Sequence, residues 1–134
     1  MATVQKFEDL QVWQHARELS QKIYPLTFAE PIAKDFRFKD QIRGSCGSIM
    51  DNIAEGFERG SKREFIHSLT IAKGEVGELK SQLYRGRDNQ YFTQILFEGL
   101  YQDADRLTKM LTSFITYLNN STISGQKFKQ QDRT

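Results

Sequence analysis

The stretch Glu55-Gly-Phe-Glu-Arg-Gly-Ser-Lys-Arg-Glu-Phe65 constrains the fold more than any other part of the chain. It reads as the end of one helix, a hard stop and the start of another. Gly60 stands where a helix C-terminus favours a residue in the left-handed region. Ser61 follows as an N-cap, and Glu64 lies three residues on, the spacing of a capping box. A connection this short makes the flanking helices lie side by side and antiparallel. The chain is therefore expected to be all-α, an antiparallel up-and-down four-helix bundle.

The rest of the sequence supplies the helices. Leu10, Trp13, Ala16, Leu19 or Ser20, and Ile23 recur at helical spacing over 9–24, with Asp9 as the expected N-cap. Pro25 is expected to kink this helix, with a weak continuation towards Phe28. The longest internal connection, 29–35, contains Pro31. Over 36–58 the apolar line is Phe38, Ile42, Ser45 or Cys46, Ile49, Ile53 and Phe57. Phe65, Leu69, Ala72, Val76, Leu79 and Leu83 form a heptad-like seam over 62–88. Behind a Thr93 cap, Leu96, Leu100, Ala104, Leu107, Leu111, Phe114 and Leu118 stripe 94–119. The bundle is expected to occupy 7–119 as one domain. Residues 120–134, polar and poor in apolar side chains, are expected to form a flexible tail. Gly44, Gly47, Gly74, Gly77 and Gly86 fall inside helical patterns, where each costs about 1 kcal/mol relative to alanine. Close approach between helices is the expected reason.

Composition narrows the function. A chain of 134 residues buries enough surface to fold without a disulfide or metal. Its single cysteine, Cys46, has no internal partner, which predicts a reducing, cytoplasmic setting. Met1 to Lys6 lacks the apolar core of a signal peptide, and no apolar run approaches the roughly 20 residues of a membrane span. A formal net charge of +2 is too small to argue for nucleic acid, so only the distribution of charge bears on it.

No constellation in the sequence supports catalysis. Cys46 sits near the apolar line of its helix, the place of a core thiol rather than a nucleophile. His15 and His67 match no zinc spacing with it. Glu64-Phe-Ile-His67 is one Glu-x-x-His match, whereas a di-iron bundle needs two. Gly44-Ser-Cys-Gly47 copies the GxxG of one RNA-binding module but lacks its flanking strands. Gly56 and Gly60 have the spacing of a membrane dimer motif amid charges that exclude a membrane. The expected protein is non-enzymatic and needs no cofactor or metal.

Basic residues carry the remaining signal. Arg37, Lys39 and Arg43 line the start of the second helix, and Arg59, Lys62 and Arg63 gather at the next turn. Lys80, Arg85 and Arg87 lie towards the end of the third, where the helix dipole suits the two arginines, and Lys127, Lys129 and Arg133 lie in the tail. Lys62 and Arg63 occupy a first helical turn, where the dipole disfavours cations, which hints at an external anion such as phosphate. The six residues of the first two groups are the candidate nucleic-acid surface. Gln41, Asn52 and Glu55 are the candidate structural polar network, because an amide bordering a core needs a partner; Arg43 is a further candidate for interhelical or intersubunit pairing.

Three blocks also resemble a known family: Phe7-Glu-Asp-Leu-Gln-Val-Trp-Gln-His-Ala16, then Asp40-Gln-Ile-Arg43 with Ser48-Ile-Met-Asp-Asn-Ile-Ala-Glu-Gly-Phe57, and Ile71-Ala-Lys-Gly-Glu-Val-Gly-Glu-Leu-Lys-Ser-Gln-Leu83. They are similar to the 23S rRNA-intervening sequence proteins, also labelled S23 ribosomal proteins. That resemblance spans about residues 7–118. It implies a four-helix bundle assembling into a ring, commonly a homopentamer, with no enzymatic activity attached. A relative, the accessory protein of diversity-generating retroelements, is a similar ring that binds nucleic acid and a reverse transcriptase. The implied partners are thus a second copy of the chain, RNA or DNA, and a reverse transcriptase or other nucleoprotein. This chain departs from the family pattern at Gly44, Gly47, Glu75 and Val76. Without nucleic-acid binding, the alternative is an oligomeric scaffold that buries Phe97, Tyr101 and Tyr117 against its neighbours.

Overall fold

In the computed structural model residues 4–122 are described. Four α-helices dominate: α1 (Gln11–Ile23), α2 (Phe36–Glu58), α3 (Lys62–Asp88) and α4 (Gln94–Asn119). No strand occurs among the described residues. Helix α2 packs on α1 and α3, and α4 packs on α3 and α1, which closes the four into a square around one core. Cross-helix contacts set the directions. Gln41 meets Arg85 and Asn52 meets Glu75, so α2 and α3 are antiparallel. Phe65 meets Phe114 and Tyr84 meets Phe97, so α3 and α4 are too.

The caps explain the boundaries. Ser61 Oγ accepts from the Glu64 amide at 3.0 Å, and the Ser61 hydroxyl donates to Glu64 Oε1 at 3.1 Å. Gly60 has φ 89°, the left-handed conformation that ends α2. Thr93 Oγ1 accepts from Leu96 N, and Asp35 Oδ1 accepts from Phe38 N. At the end of α3, Gln90 N donates to Arg87 O and Tyr91 N to Gly86 O, the paired bonds of a Schellman motif. That motif places Gln90 at φ 64° without the freedom of glycine.

The first helix starts later than its sequence pattern suggests. Asp9 is not a cap; it closes a 3-10 turn at Phe7–Asp9, and α1 opens from Leu10 with no side-chain cap. A 3-10 segment, Tyr24–Phe28, follows α1 with Pro25 in its first turn, and a shorter one spans Ile32–Lys34. Buried residues of α1 are Val12, Ala16, Leu19 and Ile23, while Trp13 is half-buried with its ring edge-on to Phe7. Phe57, Phe65, Leu69, Ala72, Val76, Leu79, Leu83, Ala104 and Leu111 are fully buried. Each large apolar side chain removed from water in this way contributes roughly 1.5–3 kcal/mol.

The glycines divide. A Cβ at Gly56 would overlap the Ser68 side chain, and one at Gly86 would overlap the Phe92 ring. At Gly44, Gly47, Gly74 and Gly77 it would meet nothing within 4 Å, so close approach does not account for these four. Most of the predicted tail lies outside the described residues, as do Lys127, Lys129 and Arg133.

Candidate functional site

Helix α2 separates the candidate basic residues into two groups. Arg43 and Arg59 are sixteen positions apart on one continuous helix, about 24 Å at 1.5 Å per residue. Arg37, Lys39 and Arg43 lie at the end where the chain enters from the 24–35 connection; Arg59, Lys62 and Arg63 lie at the Gly60 turn. Within one chain the six do not form a single patch.

At the Gly60 turn most of this charge is answered internally. Arg59 reaches Glu64 at 3.3 Å and Glu55 at 3.8 Å. Lys62 Nζ donates to the Ser121 carbonyl at 2.7 Å, just beyond the end of α4. A carbonyl terminus is the negative pole of a helix, so it compensates the cation that the start of α3 disfavours. Lys62 therefore supplies no argument for an external anion. Arg63 alone of the three is exposed without such a contact among the described residues.

The opposite end differs. Arg37 is exposed and makes no ion pair among the described residues. Lys39 Nζ donates to the Ala33 carbonyl at 3.3 Å and lies 4.8 Å from the centre of the Phe36 ring. Arg43 Nε donates to the Thr27 hydroxyl at 2.7 Å, and its guanidinium sits 4.4 Å from the Tyr24 ring centre and 4.8 Å from that of Phe28. None of the three touches a carboxylate among the described residues. Two of the nearby acids are engaged elsewhere: Glu30 pairs with Lys34, and Asp35 accepts from Tyr91 Oη at 2.6 Å. The Tyr91 hydroxyl, followed by the Phe38 amide, holds the Asp35 carboxyl below its ordinary value. Asp40 is exposed at the border of this surface. Phe28 is 66% exposed and Phe36 67% exposed, values that set them apart from the other aromatic rings described.

The polar network has a different membership from that read in the sequence. Asn52 Nδ2 donates both to Glu75 Oε1 and to the Ser48 carbonyl, each at 2.9 Å. Burial pushes the Glu75 carboxyl above its ordinary value against the hydrogen bonds from Asn52 and Ser48, and Glu78 and Asp51 add to the rise. Gln41 Oε1 accepts from Arg85 Nη2 at 3.1 Å. Glu55 is not in this network; it faces solvent beside Arg59. Glu75, a departure from the family pattern, is thus the acid that answers Asn52. Its role escaped the sequence reading because its partner lies twenty-three positions away. Between α2 and α3 an open groove of about 390 Å³ is lined by Asp40, Gln41, Gly44, Glu78, Ser81, Gln82 and Arg85. Gln82 is buried there, with Oε1 unpartnered.

The residues weighed for catalysis sit as structural groups. Cys46 is buried, and desolvation pushes its thiol up to about 12. Glu64 accepts from the hydroxyl of Ser61, the residue that caps α3, and His67 is exposed. No group of three or more His, Cys, Asp or Glu side chains among the described residues is placed to hold a metal. No described helix is long and apolar enough to cross a membrane. Phe97, expected outside the core, is buried, and its ring lies 4.6 Å from the Arg87 guanidinium; Tyr101 and Tyr117 are half-buried against the core.

Comparison with known proteins agrees with this architecture. A search among curated proteins gives no match. A crystal structure of a protein of unknown function from the S23 ribosomal protein family of Bacteroides thetaiotaomicron VPI-5482 superposes with a TM-score of 0.71. It shares 29% sequence identity over 78% of this chain and 97% of that one. The model of the 23S rRNA-intervening sequence protein family matches residues 8–113, across all four helices, and on that match the chain belongs to this family.

Proposed function

We propose that the protein is a non-enzymatic, ring-forming bundle that binds nucleic acid, or a nucleoprotein such as a reverse transcriptase complex, through the end of the bundle where α2 begins. One observation carries this reading: Lys39 and Arg43 share a face of α2 there, Arg37 stands on the same two turns, and none of the three has a carboxylate partner among the described residues. Uncompensated cations are what a phosphate backbone neutralises, with release of its counterions. Assembly of several copies repeats the patch, and avidity then raises a weak affinity without a new contact.

The test is titration of a fluorescent RNA or DNA strand at several salt concentrations. Log affinity should fall by roughly 0.7–0.9 per phosphate contact for each decade of salt. Arg37→Glu with Lys39→Glu should weaken binding and flatten that slope, whereas Arg59→Glu should do neither. Binding that ignores salt, or is lost equally on Arg59→Glu, refutes the assignment.

A scaffold without nucleic-acid binding is the second reading. Ile95, 84% exposed on the first turn of α4, favours it, because a large aliphatic side chain so placed suits a subunit contact. Light scattering of Ile95→Asp against the parent protein tests that contact directly.

A further inference from the structure

The rings at the α2 entrance are arranged with the cations in a way that bears on what kind of nucleic acid fits. Phe36, Lys39 and Arg43 fall at i, i+3 and i+7, so they share one face of α2. About 10 Å of helix axis separates Phe36 from Arg43. Across the connection, Phe28 and Tyr24 lie against Arg43, with their own ring centres 5.5 Å apart. The result is a line with a largely exposed ring at each end, Phe36 and Phe28, each with one of the two cations against it. Burial does not explain these rings, since each leaves about two-thirds of its surface in water. The cations beside them are tied in place. Lys39 is tied to Ala33 O and Arg43 to Thr27 Oγ1, and Thr27 itself is buried and donates to Tyr24 O.

Resting on the nucleic-acid reading above, we infer that this surface takes unpaired bases, stacked on Phe28 and Phe36, with the intervening phosphates at Lys39 and Arg43. Duplex bases present only their edges to a protein, so open ring faces gain little from them. A single strand offers a base face to each ring and phosphates to the cations between, the combination that serves single-strand binding generally. Arg43, with its guanidinium within 5 Å of two ring centres, holds a planar cation at the centre of the line.

The experiment compares three probes against the full chain: an oligodeoxythymidine of about 15 nucleotides, an abasic strand of equal length, and the matched duplex. The thymidine strand should bind at least about 10-fold more tightly than the abasic one, since each stacked base carries that order of affinity. Phe28→Leu and Phe36→Leu keep apolar bulk but remove the π face. Each should cost roughly 10-fold on the thymidine strand, leave abasic binding unchanged and leave the salt slope intact. Phe36→Trp should restore or exceed the original affinity. Equal affinity for all three probes overturns the stacking site while leaving salt-dependent nucleic-acid binding in place. No binding to any probe at low salt removes both. Leucine variants that change the mass seen by light scattering without changing the thymidine-to-abasic ratio assign the rings to a subunit contact and refute the inference.

Discussion

Replacing Gly56 by alanine tests the packing on which the α2–α3 pair rests. The added methyl would overlap Ser68 Cβ, come within 2.7 Å of Ser68 Oγ and lie 3.4 Å from Phe65 Cδ1. The last distance is ordinary contact; the serine contacts are not. Both residues are buried in the tight end of the helix pair, next to the Gly60 turn, so neither backbone moves freely. Overpacking of a filled interior costs about 1–3 kcal/mol. Alanine returns up to about 1 kcal/mol through its better helix propensity. The net expectation is a loss of up to about 2 kcal/mol, or a fall in melting temperature of up to about 7 °C for a domain of this size. Urea melts at one fixed protein concentration give the number, because assembly makes apparent stability concentration-dependent. A double-mutant cycle with Ser68→Gly isolates the contact, and a coupling of about 1 kcal/mol or more is expected. Gly74→Ala and Gly77→Ala serve as opposites. Both positions open onto empty space, so each should gain up to about 1 kcal/mol. A Gly56→Ala protein as stable as its parent would refute the close approach. Destabilisation at Gly74 or Gly77 would instead show another chain packed on that face.

Other sites give sharper but smaller signals. Gln90→Gly should stabilise by about 0.5–1 kcal/mol in the same urea melts, since it relieves a left-handed conformation within a Schellman turn. Cys46 should resist an aromatic disulfide reagent at pH 8 and react only at the rate of unfolding; its raised thiol pKa also means that its contribution is complete below the unfolded value of about 8.5 and fades as pH rises beyond it. Glu75→Gln should raise stability at pH 7 by at most a few tenths of a kcal/mol after solvent screening, because it removes a charge that burial disfavours. For an acid with a raised folded value, the parent protein recovers that difference as pH falls and Glu75 takes up its proton. The gap in melting temperature should therefore close on acidification, and a gap that widens contradicts the sign.

The caps show how far local chemistry reads directly. Ser61 and Thr93 cap where their spacing placed them, Glu64 meets the Ser61 hydroxyl rather than its amide, and Gly60 takes the left-handed turn expected of it. These devices involve partners within a few positions, so nothing distant competes with them. Asp9 failed as a cap for the converse reason: the chain ahead of α1 folds into a turn around Phe7, which packs on Trp13. The glycines were equally opaque. Gly56 and Gly44 look alike in a helical pattern, and only the neighbouring helix distinguishes a required gap from an open surface. The candidate site was legible as residue types but not as a place. Arg59 and Lys62 looked as available as Arg37 until Glu55, Glu64 and the Ser121 carbonyl were brought to them.

The sequence alone determined the number of helices, the Gly60 stop and most of the stripe each turns inward, because period, capping and chain entropy are local properties of consecutive residues. Tertiary structure decided which cations keep their charge for an outside partner, which glycines are needed, and that Phe28 and Phe36 stand open beside Lys39 and Arg43. Those outcomes depend on groups distant in sequence meeting in space, and Coulomb and packing energies are set by separation in three dimensions rather than along the chain.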